Sequence, residues 1–90
     1  MDICEKFGRN VYKYRAERNL SQEELAELTD LHRTYISAVE RGTRIISLKN
    51  IQRISDALKI PTYKLFDFGG NTNEWRKLYY SYFRKVLWSF

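Results

Sequence analysis

The chain has a single cysteine, Cys4, and a single histidine, His32. One thiol excludes an internal disulfide, a usage that fits a reducing cytosol. One thiol and one imidazole cannot assemble a zinc site or a nucleophile–base pair within the chain. They read as an ordinary thiol and an ordinary helix-start imidazole. Glycine is scarce too, and none of the 4 glycines belongs to a loop of the kind that cradles phosphates, which argues against a nucleotide enzyme. No run approaches the ~20 apolar residues of a membrane span. Met1, Asp2 and Glu5 open the chain without the apolar stretch of a signal peptide. No alternating strand pattern occurs. These absences lead us to expect a soluble, cytoplasmic protein, with no enzyme activity, no cofactor, no metal and no membrane.

What is present is positive charge and helical periodicity. Ninety residues suit one domain, with room for an appendage. The formal net charge of +5 favours a polyanionic partner. Ile3, Phe7, Val11 and Tyr14 recur at spacings of four, four and three, which predicts an amphipathic helix over about 2–18. Asn19 and Leu20 break it. Ser21 and Glu24 have capping-box spacing, so a second helix is expected over about 21–28, burying Leu25 and Leu28. After a turn at Thr29 to Leu31, a third helix is expected over about 32–41, ended by Gly42. Ser47 caps a fourth, over about 48–58, carrying Leu48, Ile51, Ile54 and Leu58. Pro61 closes that unit, and Thr62 to Phe66 suit a short fifth helix. The predicted class is therefore all-α.

Two short helices joined by a tight turn suggest a helix-turn-helix. At about 100° per residue, Tyr35, Ile36 and Val39 fall on one side of the third helix and face the core. Arg33, Thr34, Ser37, Ala38 and Arg41 fall on the other. That face is basic, polar and small. It can enter a DNA major groove, where Arg reads guanine and the methyl of Ala38 can pack on a thymine methyl. Arg41 lies at the helix end, and Arg44, Lys49 and Asn50 lie around the start of the fourth helix, where backbone N–H groups also suit phosphate.

Leu20 to Ala26 (Leu-Ser-Gln-Glu-Glu-Leu-Ala), Arg33 to Ser37 (Arg-Thr-Tyr-Ile-Ser), Glu40-Arg-Gly42 and Ser47-Leu48 occur in order and register. Over about residues 7–66 the chain thereby resembles the Cro/C1-type (XRE-like) helix-turn-helix regulators of phage and bacteria. Within them it is most like the controller proteins of restriction–modification systems. The resemblance implies a five-helix, lambda-repressor-like domain that binds a pseudopalindromic operator as a homodimer. It places Gln22 at a phosphate and Arg33, Thr34 and Ser37 at base-reading positions. Arg15 and Glu40 match a structural ion pair between the first and third helices. His32 departs from the Thr, Ser or Asp commoner at that helix start. Ile45-Ile46 replaces a loop that often holds Pro. In activating members, acidic residues matching Glu23 and Glu27 contact RNA polymerase.

Residues 1–68 are thus expected to form the DNA-binding domain. Gly69-Gly70-Asn71-Thr72 reads as a linker. Beyond it, over 71–90, an amphipathic helix is expected, with Trp75, Leu78, Tyr79, Tyr82, Phe83, Val86 and Phe90 within an arc of roughly 140°. Arg76, Lys77, Arg84 and Lys85 lie outside that arc. Such a stripe does not stay exposed in a soluble monomer. The reading adopted is a homodimer interface. Packing on the same chain, a membrane surface and stacking on single-stranded bases are the alternatives. A different class of function also fits: a protein-interaction module, such as an antitoxin that binds its partner through the aromatic helix.

Overall fold

Four α-helices and one short 3-10 turn make up residues 2–68, the part of the chain that the computed structural model describes. Helix α1 (Ile3–Glu17) starts at Asp2, whose carboxylate accepts the Glu5 N–H at 3.0 Å. Helix α2 (Gln22–Thr29) starts in a complete capping box: Ser21 Oγ accepts from Glu24 N, and Glu24 Oε1 accepts from Ser21 N, both at 3.0 Å. Helix α3 (Arg33–Arg41) stops at Gly42, whose φ of 76° is left-handed. Helix α4 (Leu48–Ala57) is capped by the Ser47 hydroxyl, and Thr62–Phe66 forms the 3-10 turn. The expected fifth helix is therefore a tighter single turn. It follows Pro61 and is held by Asn10, whose Nδ2 donates to Leu65 O at 3.0 Å and Asp67 O at 2.9 Å.

Helix α3 lies between α1 and α2, α4 packs on α2, and the 3-10 turn closes against α1 and α4. Phe7, Val11, Leu25, Ile36, Val39, Ile54, Leu58 and Leu65 fill the space between them. Such burial is the main stabilising term in a domain this small. α1 approaches α3 closely at Gly8. A Cβ there would stand 2.7 Å from the Glu40 carbonyl oxygen and closer still to that of Val39.

Three apolar side chains expected in the core are outside it. Leu28 is 60% exposed, Ile3 59% and Leu48 84%. Ile3 and Leu48 are the first residues of their helices. A side chain leans toward its helix N-terminus, so both overhang the end of the packed layer. Leu28 has a different cause. The buried arc of α2 is Leu25, Ala26 and Thr29, turned toward α3 and away from Leu28. Thr29 replaces it at little cost, because its hydroxyl is bonded to the Leu25 and Ala26 carbonyls at 2.8 and 3.1 Å. The aromatic segment expected over 71–90 lies outside the described residues.

Candidate functional site

The helix-turn-helix is α2, the turn Asp30 to His32, and α3. Asp30 takes φ 56°, a left-handed turn that Asp tolerates. An ion pair behind the motif ties α3 to α1. Arg15 on α1 grips Glu40 on α3 with two parallel hydrogen bonds, Nε to Oε2 at 2.7 Å and Nη2 to Oε1 at 2.9 Å. The two side chains are only 12% and 6% exposed. Arg15 Nη1 donates further to Leu20 O at 2.8 Å, tying down the turn before α2. The bond to Glu40 raises the Arg15 pKa above its ordinary value, against the opposing effect of burial. Gln22 completes the cluster by donating from Nε2 to Glu40 Oε1 at 3.1 Å. One carboxylate thus joins α1, the first turn of α2, and α3.

On this scaffold, Arg33 and Thr34 stand exposed at the start of α3, and Ser37 and Ala38 are half-buried one turn on. The His32 ring makes no capping hydrogen bond. Arg41 is exposed, and its Nη1 donates to Ser37 Oγ at 2.6 Å. Arg33, Thr34, Ser37, Ala38 and Arg41 thus lie on the side of α3 away from its buried Ile36 and Val39.

The residues expected at phosphates divide. Arg44 and Lys49 are exposed near the start of α4. Gln22 and Asn50 are half-buried and have protein acceptors. Asn50 Nδ2 donates to the Tyr35 hydroxyl at 3.0 Å, and Asn50 N donates to Ser47 Oγ at 3.2 Å. Tyr35 was expected to face the core; it is half-buried and packs on the core's edge. The Arg44 guanidinium also lies 5.2 Å from the centre of its ring. Tyr35 therefore belongs with the groups that shape this surface. The signal available in the sequence is its place at the margin of the buried arc of α3.

Glu23 and Glu27 are exposed on α2, on the side opposite its packed arc. Trp75, Leu78, Tyr79, Tyr82, Phe83, Val86 and Phe90 lie outside the described residues. Among the described residues, no group of three or more His, Cys, Asp and Glu could hold a metal ion. Among them too, no helix is long and apolar enough to cross a membrane.

Residues 11–65 match a family model described as helix-turn-helix. The chain is 54% identical over 63 residues to the control protein C.BamHI of Bacillus amyloliquefaciens, covering 69% of this chain and 78% of that protein. Its fold matches the restriction–modification controller protein C.AhdI of Aeromonas hydrophila with a TM-score of 0.69 and 44% identity, covering 70% of this chain and 96% of that one. It also matches the controller protein C.Esp1396I, solved as a tetramer with its natural 35 base-pair operator. That match has a TM-score of 0.67 and 32% identity, covering 73% of this chain and 87% of that one.

Proposed function

The chain belongs to the helix-turn-helix family, and from that premise we propose that it is a sequence-specific DNA-binding transcriptional regulator that controls restriction–modification genes. It acts as a homodimer on a pseudopalindromic operator, in the cytoplasm, and catalyses no reaction. The observation that carries this reading is the outward face of α3, where Arg33, Thr34, Ser37 and Ala38 are presented by a helix that an almost buried ion pair holds in place. An arginine at the start of such a helix can donate two bonds to guanine O6 and N7. Arg41, Arg44 and Lys49 offer exposed donors for phosphate, and Gln22 and Asn50 each keep the amide proton not used toward Glu40 and Tyr35; such contacts fix register without reading sequence. The relatives named above are control proteins, and one of them was solved on its operator. Residues 1–68 form the DNA-binding domain, and 71–90 supply the dimer contact.

A two-fold dimer sets its recognition helices about one DNA turn, ~34 Å, apart. Selection of binding sites from random duplexes by the purified protein should enrich two inverted half-sites at that spacing. Recovery of no enriched sequence, or of a single unpaired half-site, overturns the proposal.

A further inference from the structure

We propose that Arg41 acts through Ser37: it fixes the Ser37 hydroxyl as a hydrogen-bond donor, and so determines which bases Ser37 selects. The inference rests on the reading of α3 as the base-reading helix.

Ser37 and Arg41 are four residues apart on one face of α3, and Arg41 Nη1 lies 2.6 Å from Ser37 Oγ. A guanidinium carries only donors and stays charged, so in this pair Ser37 must be the acceptor. A serine oxygen has two lone pairs and one proton. One lone pair is committed to Arg41. The other faces a cation at short range, which disfavours a second approaching N–H. The proton has no acceptor among the described residues. Charge also polarises the O–H bond and makes it a better donor.

A free serine is an ambiguous reader, because it can donate to one base edge or accept from another. Ser37 held by Arg41 loses that ambiguity. It selects a base that presents an acceptor in the major groove: purine N7, guanine O6 or thymine O4. It disfavours cytosine, whose major-groove edge presents only an amino donor. The remaining Arg41 donors stay available to a phosphate, so the same side chain can set register and choose the base. Arg41 is a positioning residue in this account, and Ser37 is the residue that touches the base.

The test is site selection from random duplexes with the full chain and its Ser37→Ala, Arg41→Ala, Arg41→Lys and doubly substituted Ser37→Ala/Arg41→Ala variants. Affinity on the selected duplex is then measured across a range of salt. The unmodified chain should prefer an acceptor-bearing base at one position per half-site. Ser37→Ala should reduce that preference by about threefold to tenfold, the scale of one hydrogen bond. Arg41→Ala should relax the same base pair by a similar factor, and the double variant should relax it no further. Arg41→Lys keeps a charged, donor-only side chain and should retain the preference to within about twofold. Both residues lie on the surface side of α3, and unchanged thermal unfolding of the variants verifies their fold.

Three outcomes overturn the inference. In one, Arg41→Ala lowers affinity equally on all duplexes and lowers the salt slope by about one, yet leaves the preference intact. Arg41 is then a phosphate contact alone. In the second, Ser37→Ala changes no preference although the unmodified chain selects a sequence; Ser37 then reads nothing. In the third, the preferred base presents only an amino donor at the Ser37 position. If the unmodified chain selects no sequence at all, the DNA-binding reading itself has failed, a result distinct from these three.

Discussion

Arg15 and Glu40 lie 25 residues apart in sequence and face each other through two hydrogen bonds of 2.7 and 2.9 Å, in a place where water reaches little of either side chain. Geometry of this kind supplies position more reliably than it supplies stability. Two charges give up their hydration, and their mutual attraction roughly repays it. Removing one partner is a different matter, since it strands the other. Arg15→Met should therefore destabilise the domain by about 3 kcal/mol or more in urea unfolding. Replacing both, Arg15→Met with Glu40→Leu, should recover most of that loss. DNA affinity should not recover with it, because Gln22 and Leu20 O then lose the groups that hold α2 in place. Equal recovery of stability and affinity would show that the pair does not set the geometry of the helix-turn-helix.

Gly8 tests how closely α3 must sit on α1. An alanine is the better helix former by about 1 kcal/mol, so propensity alone predicts a more stable protein. Packing opposes it. The added methyl meets the backbone carbonyls of Val39 and Glu40, which cannot move without moving α3. Packing should win, with Gly8→Ala costing a net ~2 kcal/mol or more and reducing operator affinity beyond what the unfolded fraction explains. A raised melting temperature would show that α3 is free to shift.

The features legible in the sequence were local ones. Ser21 and Glu24 are three residues apart, and their reciprocal caps form in the structure as spacing requires. Gly42 ends α3 in the left-handed conformation that glycine adopts most readily. The outward face of α3 followed from periodicity, because one helix has one buried arc. Less legible was the exact direction of that arc on the shorter α2. Leu25 and Leu28 are only about 60° apart on the helical wheel, and the choice between Leu28 and Thr29 was made by where α3 docks. The bond from Gln22 to Glu40 spans 18 residues, and that from Asn50 to Tyr35 spans 15. No local pattern encodes either. Each depends on how two helices meet.

Lys59 offers a gain in stability. It follows the last turn of α4 with φ 55°, a left-handed conformation that costs a lysine roughly 1–2 kcal/mol. Lys59→Gly should raise stability by about 0.5–1 kcal/mol, the strain relieved less the extra entropy of the unfolded glycine. The Arg18 bond to Lys59 runs to the backbone oxygen and survives the change. Asn19 and Asp30 have the same φ of 56°, but their short polar side chains tolerate it. Glycine should help less at either position. A gain at Asn19 or Asp30 larger than at Lys59 contradicts this account.

The dimer contact assigned to 71–90 calls for a truncation. A chain ending at Phe68 keeps all of α1 to α4 and the 3-10 turn. It should melt cooperatively yet sediment as a monomer or a weak dimer, with operator affinity much reduced. The loss follows from linkage: each half-site then binds without the second copy held nearby. A truncated chain that sediments as a stable dimer moves the interface onto residues 2–68.

Should the chain activate transcription, its resemblance to activating members points to two carboxylates as the polymerase contact. Glu23 and Glu27 are four apart on α2, so they share a face, and both are exposed. Their neighbour Glu24 is committed to the Ser21 backbone N–H. Glu23 lies in the first turn, where the helix dipole favours a negative charge. Glu27 lies near the C-terminal end of α2, where the dipole opposes one, and no basic residue offsets it there. Stability therefore explains Glu23 and does not explain Glu27. A contact with RNA polymerase gives a reason for keeping them. Glu23→Lys with Glu27→Lys should abolish activation in a reconstituted transcription reaction, while a gel-shift titration shows operator binding unchanged or tighter. Glu27→Lys alone should slightly stabilise the fold, by about 0.3–1 kcal/mol. Activation that survives the double reversal removes these residues from any polymerase contact. Loss of activation with full DNA binding and full stability leaves the contact itself as the function of this acidic pair.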